Sequence, residues 1–116
     1  MSVTTFVKYC FVLLIYVHLL MRDLKFTWDE NKNRLNQKKH KVSFQEAQSV
    51  FYDEQAKLIN DPDHSTDEDR FILLGLSNSL KVLVVIHAYR EDDKVIRIIS
   101  ARKATKKESK TYTKGD

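Results

Sequence analysis

Between Ala56 and Ala101 the sequence repeats one pattern, a short apolar run followed by a turn, and that pattern fixes the fold class. The runs are "AKLI" (Ala56 to Ile59), "RFILLGLS", "KVLVVIHAY" and "KVIRIISA", rich in Val, Ile and Leu as strands require. "NDPDHSTDED" separates the first two, because Asn, Asp, Ser and Pro favour loops. Asn78-Ser79 and "EDD" separate the others. Connections this short leave no room for a crossover helix, so the strands should pair antiparallel. Such a sheet has a face to bury, and only the flanking segments can cover it.

Those segments read as helices with one more strand. "LKFTW" (Leu24 to Trp28) alternates and is aromatic, which predicts a strand. Asp29 is then an N-cap candidate for "DENKNRLNQKKH", a mostly exposed helix with Leu35 its clearest inward residue. Ser43 with Glu46 reads as a capping box opening "SFQEAQSVFY", where Phe44, Ala47, Val50 and Phe51 share a face. A last helix is expected from Lys103 to Tyr112. The order βααββββα is α+β, with the helices packed on one sheet face.

The length of 116 residues suits one domain, and two Gly with one Pro argue against a linker-rich chain. Cys10, the sole cysteine, excludes an internal disulfide and a cysteine-based zinc cluster and fits a reducing compartment. The net charge of +4 permits a nucleic-acid partner without demanding one. Its distribution says more. Five basic residues fall between Asp29 and Lys41, and six between Arg102 and Lys114. Seven acidic residues lie between Asp53 and Arg70.

The first 21 residues do not match the rest. Tyr9 to Met21 is apolar or aromatic except for His18, about thirteen residues where a spanning helix needs roughly twenty. No small-residue cleavage site follows Leu20, as a signal peptide would require. We expect residues 1–21 to be an extension from a misassigned start codon, with a weak membrane anchor as the rival, and 22–116 to be the domain.

The chemistry-bearing residues are mostly cations. His40, His64 and His87 fall in unrelated segments, "DPDHSTDED" lacks the ligand ladder and glycine of an EF-hand loop, and there is no glycine-rich phosphate loop. No metal site and no cofactor is implied. What remains is Lys38, Lys39, His40 and Lys41 at the end of the first helix, Arg97 and Arg102 on the last strand, and Lys103, Lys107, Lys110 and Lys114 beyond. Ala101, Ala104, Glu108 and Tyr112 form a second stripe, expected to face inward. An arginine inside an apolar strand is costly unless it is paired or faces an anion. Pairing of Arg97 with Glu68 or a loop Asp ranks first on composition alone. The other reading is phosphate, which suits a planar guanidinium. Cleaving RNA through its own 2′-hydroxyl needs placed cations and groups that move two protons. His87 is expected in the core or on the sheet surface.

Three segments, "FTWDENKNRLNQKKHKVSFQEAQSVF", "DPDHSTDEDRFILLG" and "RIISARKATKKESKTY", resemble in order the characteristic segments of the BrnT family, toxins of bacterial type II toxin–antitoxin modules. The resemblance runs from Phe26 to about Tyr112. It implies a RelE-like α+β fold with a small antiparallel sheet, and a metal-independent cytoplasmic endoribonuclease that inhibits translation. It also implies neutralisation by a cognate ribbon-helix-helix antitoxin (BrnA-like), with operator DNA bound only through that complex. Carried over by residue, the expected RNA-site cations are Lys39, Arg70, Arg97 and Arg102, joined by His40, Glu68 and Ser100. Lys38, Lys41, Lys103, Lys107 and Lys110 would add RNA binding. Trp28 and Phe51 are assigned to the core. Where the family usually has Gly after Lys-His, this chain has Lys41, a left-handed cap position that lysine occupies at some cost. Two other readings remain open at this point: a non-catalytic basic binding module, and a small membrane-anchored protein.

Overall fold

The computed structural model describes residues 24–60, 70–92 and 94–114. The apolar start and the acidic loop with His64 and Glu68 lie outside the described residues. The elements are β1 (Lys25–Thr27), α1 (Glu30–His40), α2 (Phe44–Ser49), a 3-10 turn (Val50–Tyr52), β2 (Lys57–Asn60), β3 (Arg70–Leu76), β4 (Val82–Arg90), β5 (Val95–Lys103) and α3 (Lys106–Thr113). They form a five-stranded sheet in the order β1-β5-β4-β3-β2. β2 to β5 pair antiparallel, as their short turns imply. β1 runs parallel to β5 at one edge, so the sheet is mixed. Everything between β1 and β5 serves as the long crossover that a parallel pair needs. The β4–β5 turn has Glu91 and Asp92 both at positive φ, the geometry of a tight hairpin.

One face of the sheet carries the core. Val42, Phe44, Ala47, Val50 and Phe51 pack onto Leu73, Leu83, Val85, Ile96, Ile98 and Ala101. The predicted helical face is therefore buried in full, although the segment divides into α2 and a 3-10 turn. Phe26 of β1 meets Phe51 edge-on at 5.2 Å, and Trp28 meets Phe44 at 6.1 Å. His87 sits in the same core, 4.8 Å from the Phe51 ring, and burial holds its imidazole down to about 4. Gly75 lies where the 3-10 turn crosses β3; a Cβ there would come within 2.8 Å of both Ala56 and Val50. Truncating a residue such as Phe44 to Ala would cost about 3–5 kcal/mol through lost burial and the cavity left.

Three expectations change. Leu35 does not point inward; it is 64% exposed. The inward positions of α1 are Asn33 and Asn36, both buried. The Asn36 side chain accepts from the Ala101 N–H and donates to the Ala101 and Val42 carbonyls. β1 pairs with β5 only as far as Arg97, so Asn36 supplies the partner that the β5 edge would otherwise lack. Asn33 accepts from the Phe44 N–H and donates to Glu30 and Gln45, tying α1 to α2. At Ser43 only half the capping box forms: the Ser43 hydroxyl accepts from Glu46 N–H, while the Glu46 carboxylate accepts from Ser77 and Ser79. The complete capping box is Thr105 with Glu108, which starts α3 at Lys106 and leaves Lys103 in β5. Among the described residues no helix is long and apolar enough to cross a membrane.

Candidate functional site

The face of the sheet opposite α1 and α2 gathers the strand arginines, and strand register says how. In β5, Ile98 pairs with His87 but Ser100 pairs with Ile86, so Ile99 is an extra, bulged residue. A bulge resets alternation. Ile98 and Ala101 both enter the core, and Arg97, Ser100 and Arg102 all fall on the other face.

Register then aligns one row across four strands. Thr27 pairs with Arg97, Arg97 with Ala88, and Ala88 with Arg70. Two strand spacings, about 10 Å, separate the arginine backbones. The residue between them is a fully buried alanine. Two guanidinium groups thus flank a position with almost no side chain. A planar guanidinium on either side suits the oxygens of an anion. Among the described residues Arg97 makes no ion pair. Ser100 stands in the next row, opposite Ile86.

Arg102 has a different fate. Its Nη1 and Nη2 donate to the two Glu108 carboxylate oxygens at 2.8 and 2.9 Å, a bidentate pair. The Arg102 hydrogen bonds hold the Glu108 carboxyl down at about 2, and Glu108 in turn raises the guanidinium. α3 has no buried residue. It is fastened by this pair, by the Tyr112 hydroxyl donating to Asp53, and by Lys57 Nζ donating to the Thr111 carbonyl. Burial and the Asp53 carboxylate push the Tyr112 phenol up to about 12. Burial also pushes the Asp53 carboxyl up, but hydrogen bonds from Leu76 N–H, Tyr112 and Gln55 N–H outweigh it and hold it below its ordinary value. Glu108 and Tyr112 do face inward, as the stripe implies.

The remaining predicted cations lie on α1, at the end of β5 and on α3. Lys38, Lys39, His40 and Lys41 end α1, with His40 half-buried and the three lysines exposed. Asn36 marks the line along which α1 meets β5, and Asn33 marks the side toward α2. The helical repeat therefore puts Lys39, with Lys32, on the flank away from α2. Lys41 takes φ 61 and ψ 28 and donates its N–H to the Gln37 carbonyl, the left-handed cap expected of it. Lys103 pairs with Leu83, which puts it on the core side of the sheet and apart from Arg97. Lys107 and Lys110 are exposed on α3, and Glu68 is outside the described residues. Among the described residues no three His, Cys, Asp or Glu side chains gather as metal ligands would.

Beside Arg97 lies a pocket of about 240 Å³ lined by Thr27, Trp28, Asp29 and Arg97. Trp28, assigned to the core from sequence, is half-buried and has a part in both. Nothing in the sequence pointed to Thr27 or Ala88. Glu108 was legible, since "TKKE" spells a capping box.

A family model described as ribonuclease toxin, BrnT, of type II toxin–antitoxin system matches residues 28–108. Among solved structures, the Brucella abortus ribonuclease toxin BrnT is similar, with a TM-score of 0.54 and 28% identity. The match covers 72% of this chain and 99% of that one. No curated protein sequence matches.

Proposed function

This chain belongs to the BrnT family of ribonuclease toxins from type II toxin–antitoxin systems, and from that premise we propose that its arginine-bearing sheet face is the RNA-cleaving site. The row Arg97–Ala88–Arg70 carries the reading, because it sets two half-buried cations astride one small residue on the sheet face opposite α1 and α2. In the proposed reaction the scissile phosphate is held by the guanidinium groups of this row. Arg97 and Arg70 hold its oxygens and neutralise the charge that grows as the RNA 2′-hydroxyl attacks phosphorus. The bond from phosphorus to the 5′-oxygen breaks, leaving a 2′,3′-cyclic phosphate and a 5′-hydroxyl. His40 and Glu68 are the side chains assigned to the two proton transfers. The reaction needs no metal, since the nucleophile belongs to the substrate.

Lys38, Lys39 and Lys41 from α1, with Lys107 and Lys110 from α3, steer the RNA backbone by charge. Ser100 contacts the RNA beside the arginine row. Arg102, held by Glu108, serves the site by fixing α3 rather than by touching phosphate. Cleavage of cytoplasmic RNA arrests translation. A cognate antitoxin, of ribbon-helix-helix type and encoded beside the toxin, neutralises it, and the complex binds operator DNA through the antitoxin.

Inducible expression in a bacterium tests this. Wild-type protein should arrest growth with loss of bulk RNA integrity, and Arg97→Ala at matched soluble abundance should do neither. Equal arrest by both would remove Arg97 from the site.

A further inference from the structure

The pocket next to Arg97 is not needed to hold a phosphate, yet it has the parts of a base-reading site. Thr27 belongs to the same row as Arg97, one strand further out. Trp28 supplies an aromatic wall. Its orientation is set twice, by the edge-on contact with Phe44 and by donation from Nε1 to the Glu30 carboxylate. Asp29 supplies an acceptor. Its Oδ1 accepts from the N–H groups of Asn31 and Lys32 as the α1 cap, and among the described residues Oδ2 accepts nothing. The carboxylate is therefore anchored by one oxygen and presents the other. Proteins read single-stranded RNA with such parts, by stacking a splayed base on an aromatic ring and bonding its Watson–Crick edge.

We propose that this pocket, formed by Thr27, Trp28 and Asp29 beside Arg97, holds the nucleobase next to the scissile phosphate and selects guanine. The selection follows from donors and acceptors. A carboxylate only accepts. Guanine presents two adjacent donors, N1–H and the N2 amino group. Adenine and cytosine present one amino group beside a ring nitrogen that repels a carboxylate. Uracil presents one N–H between two carbonyls. The Thr27 hydroxyl, able to donate, suits the guanine O6. The proposal rests on the arginine face being an RNA site, and it adds a base preference to it.

The test separates the two claims. Short 2′-O-methyl oligonucleotides cannot be cleaved through the 2′-oxygen. A series varying one base among guanine, inosine, adenine, cytosine and uracil is titrated against the full-length protein by fluorescence anisotropy. Guanine should bind about tenfold tighter than adenine, cytosine or uracil. Inosine, which lacks the N2 amino group, should lose most of that advantage. Asp29→Asn keeps an oxygen for the cap, since Asn caps as well as Asp, but turns an amide donor toward the base. It should abolish the guanine preference. Equal binding of all five bases by wild type overturns the proposal, with no need for a variant. So does a guanine preference that survives Asp29→Asn. Cleavage of natural RNA is scored separately: guanine-selective binding without cleavage would sink the enzyme reading and leave the pocket standing. Cleavage with no base preference would do the reverse.

Discussion

Arg97 and Arg102 are five residues apart on one strand and do different things. Arg97 has Ala88 and Thr27 as its row neighbours and no acid partner among the described residues, whereas Arg102 is clamped by Glu108. The sequence placed both on the last strand and called for either an ion pair or an anion. The ion pair is realised at Arg102; at Arg97 the anion is the reading proposed above. No local signal distinguishes them, because the partner of Arg102 comes from a helix that begins three residues beyond the strand. Lys41 is a simpler case. A non-glycine residue in the left-handed region carries about 1 kcal/mol of strain. Lys41→Gly should therefore raise the unfolding free energy by about that much, read as a higher urea midpoint at unchanged slope. A lower midpoint would show that the lysine side chain contributes more than its backbone costs.

At the scale of elements, the order of strands and helices was legible because each apolar run keeps its own period. The candidate site was not: its row draws on four strands, and the Ile99 bulge decides which side Ser100 and Arg102 take. Unbroken alternation from Arg97 would put Ile99 and Ala101 beside it and send Ser100 and Arg102 to the other face. One extra residue reverses that, and nothing in "RIISAR" announces it. Leu35 misled for a related reason. Hydrophobicity marks inward positions only where the neighbour is apolar, and α1 lies against exposed backbone groups of β5 that need Asn36. α3 depends on polar contacts, and this sets its response to acid. Glu108 has its carboxyl held down at about 2 against an ordinary 4.5, so its contribution is complete above about pH 4.5 and is lost as pH falls toward 2. Amide exchange across residues 106–113, corrected for intrinsic rates, should lose protection relative to β4 over that range. Glu108→Gln should show the loosened helix already at pH 7. A helix equally protected at pH 3 and pH 7 would mean that other contacts hold α3.

At the scale of the molecule, one sheet serves two purposes. Its helix-covered face holds the core, and Arg70, Arg97 and Arg102 fall on its other face. The +4 net charge announced this only faintly. What matters is where the strands bring the positive residues together, and Arg70 and Arg97 are 27 positions apart in sequence. The central claim is that this row cleaves RNA through the substrate's own 2′-hydroxyl. The most direct measurement is single-turnover cleavage of one RNA oligonucleotide, in a chelating buffer, by wild type, Arg97→Ala and Arg102→Ala, beside the same oligonucleotide with a single 2′-deoxy sugar at the cleaved position. We expect wild type to cut only the 2′-hydroxyl form and to leave a cyclic phosphate. Arg97→Ala should lose about 100-fold or more in rate without losing stability, and Arg102→Ala should lose stability first. Cutting of the 2′-deoxy form, or full activity in Arg97→Ala, would contradict the account.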